Sequence, residues 1–175
     1  EDIKPFLKQD SLQVLKGNIS ADLKVKGLIR DFNSLTYSGK AKIRNAGFKD
    51  LRLPSVVIDN LSCDITFDAN KILIETLTAL FNSEQLKGNA VIDSKKIKAD
   101  IDLQKYKHNE LAIENIKGKI TYSDNVISSN DLKFNVFGGS VSSKNCKLIF
   151  AQKENILNAN CEVKNINIKQ AFKTL

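Results

Sequence analysis

The chain has 175 residues, of which 42% are hydrophobic and 27% are charged, and its formal net charge is +7. This length suits one domain with a core, and the composition excludes an intrinsically disordered chain. No apolar run approaches the roughly 18 residues of a membrane helix, and the amino terminus has no signal-peptide pattern. We therefore expect one β-rich domain over residues 1–175. Since the chain contains no Met, we expect it to be an excised fragment or the mature form of a longer protein.

Residues 3–7 open the chain with helical spacing, which Pro5 interrupts. Strict alternation of apolar and polar residues then takes over, and a period of two is typical of β-strands. Turn residues such as Asp68-Ala69-Asn70 separate the alternating runs. The predicted strands cover residues 19–25, 37–43, 61–67, 72–81, 86–92, 97–103, 116–122, 132–136, 146–150 and 157–163.

A second segment with helical spacing, residues 168–175, closes the chain after Asn165 and Asn167, either of which can cap a helix. Roughly ten or more strands with short connections predict an all-β antiparallel meander with one apolar and one solvated face, and short helices at its ends. Such an apolar face either closes on itself as a sandwich or remains available for an apolar ligand. The alternation alone leaves both arrangements open.

An internal repeat relates two segments that lie 55 positions apart. Residues 58–61 (IDNL) and 65–67 (ITF) correspond to residues 113–116 (IENI) and 120–122 (ITY). A shorter echo sets LKGN at residues 15–18 against LKGN at residues 86–89. Repeated strand units indicate a sheet that grows by adding hairpins, although any meander of similar strands can generate a match this short.

The three cysteines, Cys63, Cys146 and Cys161, form no CxxC motif, which argues against a zinc ribbon. Each falls on the apolar phase of its strand, where a free thiol behaves as a small buried hydrophobic group. A disulfide between Cys146 and Cys161 is the alternative. A turn at residues 152–155 would join their strands in a hairpin and could place the two residues nearly opposite each other.

Residues with catalytic chemistry are scarce and scattered. His108 is the only histidine and lies in the polar stretch 105–109, where it is most simply a solvated side chain. One histidine and dispersed cysteines do not supply the usual metal-ligand sets, and no P-loop, GxGxxG or calcium-loop motif occurs. The pair Gly138-Gly139 has no helix behind it to bind phosphate, and it indicates a bulge or a close backbone approach. We expect a binding or structural protein, not an enzyme, with no catalytic residue, metal or cofactor.

The charge of +7 fits either an anionic partner, such as lipid head groups or nucleic acid, or lysines solvated on outward strand positions. Arg30, Arg44 and Arg52 are the only arginines. Because Arg does more of the bidentate phosphate recognition than Lys, we favour the solvated lysines and expect no nucleic-acid partner.

The carboxyl-terminal third carries two further strings. Residues 132–141 (LKFNVFGGSV) predict a strand, a turn and a second strand, and residues 163–172 (VKNINIKQAF) lead into the closing helix. These strings resemble the closing pattern of AsmA-like bacterial envelope proteins, in which an aromatic-Gly-Gly turn precedes two strands and a short amphipathic helix follows. The segments Gly17–Gly27 and Gly39–Pro54, with the apolar alternation that follows, are similar to the looser upstream layout of that family, so the resemblance covers most of the chain.

The family includes the TamB- and YhdP-like proteins. The resemblance to it implies a long β-sheet that is curled lengthwise into a groove- or taco-like shape with an apolar lining. It implies a periplasmic location for this chain, within a longer protein that is usually anchored in the inner membrane. The implied role is phospholipid transport between the inner and outer membranes, or outer-membrane assembly. The implied partners are phospholipid or another acyl-chain ligand and other envelope proteins.

Two hypotheses follow for function. In the first, the chain is a lipid-accommodating groove module, although ordinary core packing explains each apolar residue equally well. In the second, it is a structural or interaction β-domain of an envelope scaffold or adhesin, with a closed core and with partners that dock on edges or loops. The candidate groove lining comprises Ile19, Leu23, Val25, Ile65, Phe67, Ile101, Leu103, Ile120, Tyr122, Phe134, Leu148, Phe150 and Val163.

Overall fold

Over the residues that it describes, the computed structural model is one antiparallel sheet of eleven strands, followed by a short helix. It describes residues 12–28, 30, 35–50, 56–93, 96–150 and 154–174. The elements are β1 (Leu12–Lys26), β2 (Thr36–Asp50), β3 (Val57–Phe67), β4 (Lys71–Phe81), β5 (Glu84–Asp93), β6 (Lys96–His108), β7 (Leu111–Ser123), β8 (Val126–Ser129), β9 (Leu132–Val136), β10 (Gly139–Phe150), β11 (Asn155–Lys164) and α1 (Ile168–Thr174). The all-β antiparallel meander predicted from the alternation is confirmed, as is the closing helix. The predicted opening helix at residues 3–7 lies outside the described residues.

Strand order in the sheet follows the chain, and β1 and β11 form its two edges. Strands β8 and β9 both pair with β7 on one side and with β10 on the other, so they are two halves of one interrupted strand. The interruption falls at Asn130 and Asp131, where the Asp131 carboxylate accepts the backbone N–H of Lys119 at 2.7 Å. This bond satisfies a backbone donor that the broken ladder leaves without a strand partner.

Two rows of ladder partners show how the sheet separates its side chains, because residues directly opposite each other in a ladder share a face. One row is almost wholly apolar and defines the apolar face, and the adjacent row defines the polar face. The apolar row is Leu23, Gly39, Phe67, Ile72, Ile92, Ile97, Tyr122, Ile127, Leu148 and Leu157. The polar row is Asp22, Lys40, Thr66, Leu73, Val91, Lys98, Thr121, Ser128, Lys147 and Asn158.

The sheet has very little core of its own. Among the described residues, the buried apolar side chains are those of Ala46, Cys63, Ala79 and Val141. The accessible surface of the chain is 13155 Å², against about 8,500 Å² for a compact globular protein of this mass. The described strands therefore form a single layer and not the two packed sheets of a sandwich.

Bulges at asparagine residues interrupt three of the strands. Asn45, Asn60 and Asn115 have positive φ values of 53°, 51° and 53°, and each lies at a shift in ladder register. An extra residue reverses the alternation, so Ile43 and Ala46 remain on the same face although three positions separate them. Bulges of this kind bend a strand and increase its twist.

The end of the chain is tied to the turn between β9 and β10. Phe137 and Gly138 both have positive φ, 49° and 74°, as in type I′ hairpin turns. The Asn167 N–H donates to the Phe137 carbonyl at 2.9 Å, and the Asn167 side chain accepts the Gln170 N–H at 3.0 Å. Asn167 is therefore the helix cap, which confirms one of the two predicted candidates.

Two further expectations concern Gly139 and the cysteines. A Cβ on the buried Gly139 would lie 2.4 Å from the Lys164 carbonyl oxygen, which confirms the predicted close backbone approach. The predicted Cys146–Cys161 disulfide alternative is wrong, because the hairpin pairs Phe150 with Asn155 and so places Cys146 opposite Ala159, and all three cysteines are free. Burial was expected for every thiol and is complete only for Cys63, since Cys161 lies on the exposed edge strand.

Candidate functional site

The candidate functional site is the apolar face of the sheet. The ladder register, together with the alternation along each unbroken stretch of strand, places all of the predicted lining residues on this face. They are Ile19, Leu23, Val25, Ile65, Phe67, Ile101, Leu103, Ile120, Tyr122, Phe134, Leu148, Phe150 and Val163. They share a face and do not converge on one point, because they are spread from β1 to β11.

Sequence reasoning missed other members of the same face. Their strands were predicted except for β8, which carries Ile127, and a bulge in β4 between Ile74 and Leu77 reverses the alternation of that strand. The ladder partners of predicted lining residues supply the missing signal, because a residue opposite Leu23 or Ile65 must share its face. The missed residues include Ile43, Ile72, Ile74, Leu77, Ile92, Ile97, Ile127 and Leu157.

Exposure on the apolar face is greatest at the two edges. Ile19 and Leu23 in β1 are each 59% exposed, and Leu157 in β11 is 65% exposed. Side chains in the middle strands, such as Ile101 and Ile120, are half-buried by their neighbours within the sheet. Fully covering one large aliphatic side chain stabilises by about 1.5–3 kcal/mol. Covering the apolar face would therefore lower the free energy of the single-layer sheet substantially.

The polar face carries ion pairs between neighbouring strands. Lys105 pairs with Glu114 at 2.9 Å, and Lys117 pairs with Asp102 at 2.9 Å. The hydrogen bond to Glu114 raises the pKa of Lys105. These exposed pairs contribute little stability individually. Their geometry fits lysines solvated on outward strand positions.

Arg44 lies next to the bulge at Asn45 and has a structural role there. Its guanidinium donates to the carbonyls of Ile43 and Cys63, at 2.8 and 2.9 Å, and to the Asp64 carboxylate. This bond to Arg44 holds the pKa of Asp64 below its usual range. Burial raises the pKa of the neighbouring Cys63 thiol. One of the three arginines is thus used within the sheet.

Residues that could ligate a metal ion are dispersed over the described part of the chain. Within the described ranges, no group of three or more His, Cys, Asp or Glu residues is placed to hold a metal ion. No helix among the described residues is both long and apolar enough to cross a membrane. His108 was expected within a polar turn, but it is the last residue of β6, and the turn follows at Asn109 and Glu110.

The fold and the site together define a single-layer antiparallel meander with one extended apolar face. The chain matches no family model, no curated protein and no solved structure.

Proposed function

We propose that this chain is a non-enzymatic, lipid-accommodating module whose apolar face takes up the acyl chains of phospholipid. The observation that carries the proposal is the apolar row from Leu23 to Leu157, which crosses the whole sheet without a second layer over it among the described residues. With strands about 4.8 Å apart, this row is roughly 43 Å long. A surface of that length and composition matches a ligand that is long and apolar.

The chemistry of the row favours acyl chains over a folded protein partner. Apart from Gly39 and the Tyr122 hydroxyl, its members are aliphatic or phenyl side chains that offer neither hydrogen-bond donors nor acceptors. Protein interfaces normally combine an apolar core with a polar rim and about one hydrogen bond per 100–200 Å². An acyl chain needs no such bonds, and it can follow an extended apolar surface by burial alone.

The cellular setting of the proposal rests on the resemblance to AsmA-like proteins. The strings at residues 132–141 and 163–172 form the strand-turn-strand and the capped helix that this resemblance implies. On this basis we place the chain in the periplasm, within a longer protein anchored in the inner membrane. There it would help phospholipid to move between the inner and outer membranes, or would serve outer-membrane assembly, alongside other envelope proteins.

The test is native mass spectrometry of the protein purified without detergent from a bacterial host, followed by organic extraction. We expect phospholipid bound at a defined stoichiometry. A clean apo mass, cooperative unfolding and no lipid uptake on incubation with phospholipid would overturn the proposal. That result would support the structural or interaction domain instead, with partners at the strand edges.

A further inference from the structure

A cleft of about 830 Å³ lies at one end of strands β1 to β4. Three lysines from three strands line it: Lys24 of β1, Lys40 of β2 and Lys71 of β4. Thr66 and the half-buried Leu73 lie beside Lys40 in the polar row, so the cleft opens on the polar face. Its wall therefore combines ammonium groups with an apolar surface.

Asp22 and Asp68 are the carboxylates that line this cleft among the described residues. Asp68 is already engaged, because one of its oxygens accepts the backbone N–H groups of Asn70 and Lys71 at 2.8 and 2.9 Å. Asp93 faces Lys71 in the ladder between β4 and β5 but lines no part of the cleft. Counted over the described residues, the cleft thus holds three cations, one carboxylate bound into the turn and one further carboxylate.

The three ammonium groups can still accept an anionic partner, as a comparison with other lysines in the described part of the chain shows. Lys105 and Lys117 each have a carboxylate at 2.9 Å, whereas Lys24, Lys40 and Lys71 form no ion pair with a described residue. An ammonium group offers three donors. A phosphate that entered this cleft would be met by several donors from different strands.

A second cleft, of about 230 Å³, lies at the same β3–β4 hairpin and contains residues of the apolar row. Phe67, Ile72 and Ile92 line it, and Phe67 and Lys71 belong to both clefts. The β3–β4 hairpin therefore forms a boundary between an apolar surface and a basic one. Lys71 lies on this boundary, where its hydrocarbon stem can cover apolar surface while its ammonium group reaches the polar side.

We propose that the two clefts form one amphiphile site, in which Lys71, Lys24 and Lys40 bind the phosphate of a phospholipid head group. The first carbons of an acyl chain then lie against Phe67 and Ile72. This inference rests on the proposed function and adds a polar anchor to it. Lysine suits the role because it binds phosphate as a point charge that tolerates several head-group geometries.

The experiment measures binding of dihexanoylphosphatidylglycerol, below its micelle concentration, by isothermal titration calorimetry. We expect Lys71→Gln to weaken binding about tenfold, the loss of one charge-assisted bond. Lys71→Arg retains the charge and should stay within about threefold of wild type. The control is Lys98→Gln, because Lys98 lies in the polar row but lines neither cleft. Urea unfolding of each variant verifies that the sheet is intact.

Two further ligands separate the sources of phosphate. Glycerol 3-phosphate carries the phosphate without acyl chains, and dihexanoylglycerol carries the chains without phosphate. The inference predicts weaker binding of both than of the phospholipid, and no effect of Lys71→Gln on dihexanoylglycerol. Equal affinity for glycerol 3-phosphate and the phospholipid would overturn the head-group assignment.

The head-group assignment would also be overturned if phospholipid bound equally well to wild type, to Lys71→Gln and to a double variant with Lys24→Gln and Lys40→Gln. The proposed function would survive that result. Failure of wild type to bind either acyl-chain ligand would instead remove the proposed function.

Discussion

Asn60 and Asn115 stand 55 positions apart and adopt the same left-handed backbone conformation, with φ of 51° and 53°. Each lies at a register shift in mid-strand, in β3 and in β7. After glycine, the residues that adopt this conformation most readily are asparagine, aspartate and histidine. The internal repeat in the sequence therefore corresponds to a repeated bulge. The shorter LKGN echo does not, because Gly17 has positive φ at a register shift whereas Gly88 lies in an unbroken stretch of β5.

The bulge at Asn115 predicts an unusual order of substitutions. Asn115→Ala should lower the free energy of unfolding by about 1–2 kcal/mol, since alanine is disfavoured at positive φ. Asn115→Gly should change it by less than about 0.5 kcal/mol, because glycine adopts this conformation readily. The control is Asn135→Ala, an exposed strand position with ordinary φ, where a change within about 0.5 kcal/mol is expected. Urea unfolding measures all three, and an alanine variant at position 115 as stable as its glycine counterpart would contradict the bulge.

The strands were predictable to the extent that alternation is unbroken. Every predicted strand falls within an observed one, but the run at 37–43 stops where Asn45 reverses the phase, and β2 continues to Asp50. Strand β8 was missed as a separate element because it has only four residues and shares its ladder position with β9. Asn45 stands in the sequence just after the run at 37–43, and treating it as a bulge would have extended the predicted strand toward Asp50.

The apolar face was predictable as a set of residues, because a period of two assigns each side chain to one of two faces. Whether a second layer covers that face was not, since this depends on how strands stack and not on their alternation. The pairing of Cys146 with Ala159 also escaped prediction, because the predicted turn at residues 152–155 includes Asn155, whereas Asn155 already pairs with Phe150 in the ladder. Lys24, Lys40 and Lys71 line one cleft because of the register between their strands, which the alternation along each strand does not give.

The neighbouring glycines at the β9–β10 turn should respond differently to an added side chain. A Cβ on Gly139 would lie 2.4 Å from the Lys164 carbonyl oxygen and 2.7 Å from two further backbone atoms, so Gly139→Ala should destabilise by about 3 kcal/mol. A Cβ on Gly138 meets nothing within 4 Å, but φ there is 74°. Gly138→Asn should therefore cost less than about 1 kcal/mol. Thermal unfolding ranks the two variants, and the reverse order would refute the close approach at Gly139.

The Arg44–Asp64 pair predicts a dependence of stability on pH. The pKa of Asp64 is lowered by its bond to Arg44, so the folded value lies below the unfolded value of about 3.9. Its stabilisation is therefore fully present above the unfolded pKa and is lost as the pH falls through the folded pKa. We expect Asp64→Asn to be less stable than wild type at pH 7, with a difference that shrinks below about pH 4. Urea unfolding across this range measures the difference.

The control for this pH dependence is the same substitution in an Arg44→Gln background. Without the guanidinium, Asp64 loses the largest cause of its lowered pKa, so the pH-dependent difference should become smaller. A difference of the same size in both backgrounds would show that Arg44 is not its cause.

Adjacent residues on the edge strand test which face of the sheet handles lipid. Leu157 is opposite Leu148 on the apolar face, and Ile156 is opposite Ile149 on the other face. They are 65% and 42% exposed, so a charge at either position should leave the sheet folded. We expect Leu157→Glu to reduce phospholipid recovered after detergent-free purification severalfold, because a carboxylate must lose its hydration to lie against an acyl chain. Ile156→Glu should retain the wild-type amount, as quantified by organic extraction and mass spectrometry. Equal losses in the two variants would show that lipid recovery does not depend on the apolar face, and retention in both would show that binding does not extend to the β11 edge.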